Sequence, residues 1–129
     1  MVLDTSALLA LLLDEAEAEG FREALEEDDT RLVSAGTLLE TSVVIEARKG
    51  EPGGRELEAL LQAADVEIVP VDRDQVFEAR KAWRRFGRGR HAAGLNFGDL
   101  FAYALAKATG EPLLFKGEDF ARTDVRRVV

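Results

Sequence analysis

Met1–Val2–Leu3–Asp4–Thr5–Ser6–Ala7–Leu8–Leu9–Ala10–Leu11–Leu12–Leu13 opens the chain, and this stretch decides the fold. Met1 to Leu3 reads as a short buried strand that ends at Asp4. Ser6 can cap a helix running through Leu13, because a hydroxyl accepts from the free backbone N–H groups of a first turn. A strand followed directly by a helix is a βα unit, and its repetition implies a parallel sheet covered by helices. The apolar run Ala7–Leu13 has seven residues, whereas a membrane span needs about twenty. No basic region precedes it, so a signal peptide is not expected, and the expectation is a soluble cytoplasmic protein with no membrane association.

The same alternation continues. A second helix is expected over Ala16–Asp28, with Phe21, Ala24 and Leu25 inward. Arg31–Ser34 reads as a strand and Gly36–Lys49 as a helix. Gly50, Pro52, Gly53 and Gly54 suggest a turn. Glu56–Ala64 reads as a helix, Val66–Val71 as a strand and Arg73–Phe86 as a helix. Val76, Ala79, Trp83 and Phe86 recur on the last at helical spacing and are expected in the core. Gly87–Asn96 is a Gly- and Arg-rich loop. Gly98–Thr109 is a helix ended by Gly110, Pro112–Phe115 a strand, and Arg126–Val129 an edge strand. With 129 residues, residues 1–129 form one domain.

Composition excludes several chemistries. There is no Cys and a single His, His91. Disulfides, thiolate nucleophiles and multi-histidine zinc sites are therefore out. The formal net charge is −8, which argues against a general nucleic-acid coat. The charges are blocked, however. Asp14–Asp29 holds nine acids and one base, while Arg80–Arg90 holds six bases and no acid. Such blocks create local fields that the net charge hides.

Four acids do not read as solvent-face charges. Asp4 ends the first strand, Glu40 lies in a helix with Leu38, Leu39, Val43, Val44 and Ile45, Asp99 opens a helix, and Asp119 follows the last core strand. Each has a structural reading. Asp4 could cap a helix, Asp99 could oppose a helix dipole, and Asp119 could make an Asx turn. Glu40 looks buried, and a carboxylate there is costly unless paired or bound to metal. In an open parallel sheet ligands bind beyond the carboxyl ends of the strands, which is where all four converge. Clustered carboxylates repel unless a cation joins them. Oxygen-only ligands select a hard ion, Mg²⁺ or Mn²⁺. Such a site supports displacement at phosphorus, and the Arg80–Arg90 block offers attraction for a phosphate backbone through Arg84, Arg85, Arg88 and Arg90. Its structural reading is a solvated helix face and loop.

These residues resemble the motifs of PIN-domain ribonucleases. Val2–Leu3–Asp4–Thr5–Ser6–Ala7–Leu8 is similar to the first motif, which gives Asp4 to the metal and Ser6 as its supporting hydroxyl. Thr37–Leu38–Leu39–Glu40–Thr41 resembles the second. Leu95–Asn96–Phe97–Gly98–Asp99–Leu100–Phe101–Ala102–Tyr103–Ala104–Leu105–Ala106 resembles the third. Leu113–Leu114–Phe115–Lys116–Gly117–Glu118–Asp119–Phe120 resembles the fourth, with Asp119 before Phe120 in the acidic position rather than Glu118. The size, with no added domain, resembles the VapC toxins of VapBC toxin–antitoxin pairs. The resemblance implies a PIN-like three-layer α/β/α fold with Asp4, Glu40, Asp99 and Asp119 as catalytic and metal-binding residues. It further implies a Mg²⁺-dependent (or Mn²⁺-dependent) endoribonuclease for structured RNA such as tRNA or rRNA. A homodimer and a cognate VapB-like antitoxin would be its partners.

Three other readings compete. A receiver-like signalling domain would use Asp72 as phosphoacceptor and Lys116 after a late strand, yet it wants paired acids after the first strand, and Asp4 is followed by Thr5–Ser6. A phosphatase of the haloacid dehalogenase type would want a second Asp where Ser6 stands. A catalytically silent PIN module would have no need of an intact four-acid set.

Overall fold

In the computed structural model, which describes residues Met1–Val129, four parallel strands form the sheet: β1 (Val2–Leu3), β2 (Leu32–Ser34), β3 (Glu67–Val69) and β4 (Leu113–Leu114). Their spatial order is β3-β2-β1-β4, with Val2 opposite Leu32 on one side and Leu113 on the other. Six helices cover it: α1 (Thr5–Leu12), α2 (Ala18–Glu27), α3 (Ala35–Lys49), α4 (Glu51–Ala63), α5 (Arg73–Phe86) and α6 (Phe97–Thr109). No helix is long and apolar enough to cross a membrane.

The three layers follow from the alternation of side chains along each strand. Leu3, Val33 and Leu114 enter one core with Leu8 and Leu11 of α1, Phe21 and Leu25 of α2, Ile45 of α3, and Leu57 and Leu61 of α4. Their neighbours Val2, Leu32, Leu113 and Phe115 enter a second core with Ala82 and Phe86 of α5 and Ala102, Leu105 and Ala106 of α6. The strands β1, β2 and β4 are buried on both faces, as the centre of a parallel sheet requires, while the edge strand β3 is largely exposed.

The structure differs from the sequence-based expectations in several places. Helix α1 begins at Thr5, and its cap is Asp4, whose carboxylate accepts from the Ser6 N–H. Ser6 is already inside the helix. Helix α2 starts at Ala18, two residues late. The expected Gly50–Gly54 turn shrinks to Gly50 alone, with φ of 69°. Pro52 then sits in the first turn of α4, where its missing N–H costs nothing. Gly53 lets α4 approach α3, since a Cβ there would overlap the Ile45 carbonyl. The final segment does not form a full strand; it makes one parallel bridge, Leu113 to Arg127.

Two burial expectations also change. On α5, Phe86 is buried, but Val76 is 44% and Trp83 43% exposed. The helix packs inward through Gln75, Ala82 and Phe86, so the Val76–Trp83 stripe turns outward. Glu40 is only half-buried, because Leu39 and Val43 on its helix face solvent at 67% and 61% exposure.

Candidate active site

Asp4, Asp99 and Asp119 stand at the ends of elements beyond the carboxyl edge of the sheet, and Glu40 reaches the same place from the second turn of α3. Asp4 follows β1 directly and is 3% exposed. Its Oδ2 accepts from the Ser6 N–H at 3.0 Å and from Ser6 Oγ–H at 2.6 Å. Its Oδ1 is buried and has no hydrogen-bond partner. Ser6 Oγ in turn accepts from the Lys116 N–H at 3.0 Å, which ties the exit of β4 to the exit of β1. Asp4 is thus both a helix cap and a carboxylate with one free oxygen pointing at no protein donor.

Glu40 comes from α3. Thr5 Oγ1–H donates to its Oε1 at 2.6 Å, and Thr41 Oγ1 lies 3.1 Å from Thr5 Oγ1. Gly98 makes the room, because any Cβ there would overlap the Glu40 carboxylate. Asp99 is the third residue of α6 and shares a capping box with Asn96. The Asp99 N–H donates to Asn96 Oδ1, and Asp99 Oδ2 accepts from the Asn96 N–H, each at 3.0 Å. Asp119 is exposed at the start of a single 3₁₀ turn, Phe120–Arg122, and makes no capping bond.

The electrostatics bind the four together. Burial pushes the Asp99 carboxyl up to about 7, the Asn96 hydrogen bond opposes this, and the charges of Asp4, Asp119 and Glu40 add to it. Asp119 acts on Asp99 while Glu118 is not among the charges that do. Asp4 rises to about 6 through burial, against the Ser6 hydrogen bonds and with Glu40 adding. Like charges in one cleft without a cation have this signature. Three carboxylates do not yet close on one point as a ready-made cage. The donors themselves fit a hard divalent ion: oxygen only, mutually repelling, one buried and unpaired.

The basic block leaves α5 and enters the loop that leads into Asn96 and Asp99. Arg84 and Arg88 are exposed. Arg90 stacks on Trp83 at 4.0 Å. Arg85 lies over Phe86 at 4.6 Å and 3.5 Å from Asp124, so part of its charge is committed to the fold. His91 Nδ1 accepts from the Ala93 N–H at 2.9 Å, and its ring meets Phe86 edge-on, which makes it a loop-folding residue.

Several site residues escaped the sequence reading. Thr5, Thr41 and Asn96 position the acids through hydrogen bonds, and their only signal was adjacency to an acid or to its helix start. Lys116 was weighed only as a receiver lysine; its ammonium pairs with Glu15 at 3.2 Å and Glu17 at 3.3 Å in the α1–α2 connection. The largest cavity, about 500 Å³, holds none of the four acids; Val71, Val76, Trp83, Phe97, Leu100 and Phe101 line it.

Comparison with known proteins gives the family. The PIN-domain family model matches residues 1–126. The chain belongs to the PIN-domain family. Within that family it falls among the VapC ribonucleases. It is 59% identical to ribonuclease VapC30 of Mycobacterium tuberculosis over 128 residues, covering 99% of this chain and 98% of the relative. Identity to a ribonuclease VapC of Mycolicibacterium smegmatis is 58%, covering 99% of each. Among solved structures, VapC20 of M. tuberculosis, described as a sarcin–ricin loop cleaving toxin, superposes with a TM-score of 0.77 at 19% identity, over 96% of this PIN domain and 95% of that chain. A chain of VapBC2 from Rickettsia felis gives 0.77 at 17% identity, over 98% and 94%. These two likenesses show the three-layer fold. VapC nucleases with a PIN domain are generally dependent on divalent metal.

Proposed function

We propose that this PIN domain is the toxin of a VapBC-type pair, an endoribonuclease that hydrolyses phosphodiester bonds in structured RNA, tRNA or rRNA, with Mg²⁺ or Mn²⁺. The observation that carries the reading is the buried, unpaired Oδ1 of Asp4 in a cleft shared with Glu40, Asp99 and Asp119. Asp4 and Asp99 would hold the ion, with Glu40 and Asp119 completing the acidic shell. A divalent cation supplies Lewis acidity toward the phosphoryl oxygen and toward water. The remaining work belongs to the chain. Ser6 and the Lys116 N–H fix the Asp4 carboxylate, Thr5 and Thr41 fix Glu40, and Asn96 fixes Asp99, so the acids meet the substrate in set positions. Arg84, Arg88 and Arg90 would hold the phosphate backbone and position it without reading bases.

A VapB-like antitoxin is the expected inhibitor, and a carboxylate cleft accepts a guanidinium as it accepts a metal. A homodimer is proposed through the outward Val76–Trp83 stripe of α5 and the neighbouring Phe97, which is 76% exposed. These side chains form an apolar groove that a second copy of the chain could cover. The test is incubation of antitoxin-free protein with total RNA, in Mg²⁺ and in EDTA, with mapping of the cut ends. Discrete cuts that require the metal support the reading. Absence of cuts in Mg²⁺, or identical cuts in EDTA, rejects it.

A further inference from the structure

Lys116 leaves β4 with its main chain beside the carboxylate cleft. Its backbone N–H reaches Ser6 Oγ at 3.0 Å, and Ser6 Oγ–H reaches Asp4 Oδ2 at 2.6 Å. One hydroxyl therefore separates the Lys116 main chain from the Asp4 carboxylate. A lysine side chain is a point charge on a four-carbon stem with free rotation, and Asp4 Oδ1 is a buried acceptor with no partner. Attraction alone would draw the ammonium inward. It instead turns to Glu15 Oε2 at 3.2 Å and Glu17 Oε2 at 3.3 Å. Both acids belong to the α1–α2 connection, in which Asp14 has φ of 49°. The three side chains are each a little over one third exposed. The ammonium donates a hydrogen bond to Glu15 and makes a charge contact with Glu17; a single pair of that kind contributes little, and the second acid adds to it.

We propose that Glu15 and Glu17 are positioning residues that hold the Lys116 ammonium out of the carboxylate cleft and so keep the cleft open for a divalent cation. Without them Lys116 acts as a tethered competitor for the metal position. The inference rests on the metal-binding reading of the cleft. It treats the α1–α2 connection, remote in sequence from three of the four acids, as a determinant of metal affinity.

A double-mutant cycle read by thermal melting tests this without RNA. Full-length wild type, Glu15→Gln/Glu17→Gln, Lys116→Met and the triple variant are each melted across a Mn²⁺ series. The double variant should need roughly three- to ten-fold more Mn²⁺ for its half-maximal shift. Lys116→Met alone should change the midpoint little, and the triple variant should return close to wild type. Removal of two negative charges also weakens metal binding through the general field. In that case Lys116→Met shifts the midpoint by the same factor in both backgrounds, and the proposal is overturned. An unchanged midpoint in the double variant, beside a normal wild-type response, also overturns it and leaves the cleft reading intact. No Mn²⁺ response in the wild type removes the cleft reading itself and this proposal with it.

Discussion

Two acids beside α6 have opposite electrostatics. At the end of α6 nearest the C-terminal segment, Asp124 accepts from Tyr103 Oη–H at 2.5 Å and from Lys107 Nζ at 3.0 Å, with Arg85 at 3.5 Å. Burial there works against the charge, but the Tyr103 and Lys107 hydrogen bonds and the Lys107 charge outweigh it and hold Asp124 below its ordinary value. The same contact, together with burial, pushes the Tyr103 phenol upward. At the start of α6, burial first, and then the charges of Asp4, Asp119 and Glu40, drive Asp99 up to about 7. One helix therefore meets two acids of opposite kind: Asp124 of the C-terminal segment, held by Tyr103 and Lys107 of α6, and Asp99 in its own first turn, crowded by other carboxylates. The first is structural. The second carries a proton more readily than an ordinary carboxyl, and under the proposed function a divalent ion would be the partner its oxygens select.

The largest expected effect separates the two regions by activity. Asp4→Asn or Asp99→Asn should lower RNA cleavage by roughly 10³-fold or more while the fold persists, since a lost charged ligand removes the ion and its chemistry together. Asp124→Asn should cut RNA at a rate per folded molecule far closer to wild type. Near-normal turnover in either cleft mutant, measured as initial rate on a defined RNA, would erase the contrast.

Next in size is the substrate surface. Replacing Arg84, Arg88 and Arg90 together with Gln should weaken RNA binding for all sequences alike and lower the slope of log affinity against log salt by about 2–3. Filter binding at several salt concentrations measures this. An unchanged slope returns these arginines to ordinary surface.

Stability should move in opposite directions at Asp99 and Asp124. Asp99→Asn keeps an acceptor for the Asn96 N–H and removes the repulsion, so it should stabilise the metal-free protein by about 0.5–2 kcal/mol. Asp124→Asn loses charge-assisted bonds that solvent partly screens and should cost about 1 kcal/mol. Melting in EDTA distinguishes them; Asp99→Asn melting below wild type would make that carboxylate a helix cap first.

How much of this was legible follows from what each signal depends on. Asp4, Glu40, Asp99 and Asp119 could be read because strand ends and helix starts are local features, and the parallel topology brings those ends together. The βα order of β1, α1 and α2 was legible for the same reason. The outward face of α5 was not. Val76 and Trp83 recur with the period of a buried stripe, and periodicity cannot say whether a stripe meets its own core or another surface. The extension of α4 through Pro52–Gly54 was hidden because those residues read as breakers, although Pro52 is harmless in a first turn and Gly53 is required by the close approach of α3. The Thr41–Thr5–Glu40 chain and the Lys116–Glu15–Glu17 cluster join residues far apart in sequence. Only the assembled fold brings them within reach.

The smallest effect is the pH dependence of stability. Asp99 at about 7 and Asp4 at about 6 both lie above the ordinary 3.8. Between those values the native state holds protons that the unfolded chain has released, so this contribution to stability falls as pH rises toward neutrality. Mild acidification from neutral pH to about 5.5 should therefore raise the EDTA melting temperature of the wild type, and Asp99→Asn should respond less. Asp124 has the reverse sign: its stabilisation is complete above the ordinary carboxylate value and is lost as pH falls below it.

The most direct measurement is a carboxyl ¹³C NMR titration of Asp99, first in EDTA and then with saturating Mg²⁺. The account predicts a midpoint near 7 in the metal-free protein and a fall by about 2 units or more with the ion, because a bound cation favours the charged form. An Asp99 midpoint in the ordinary carboxylate range without metal, or a raised midpoint that Mg²⁺ leaves in place, would contradict it.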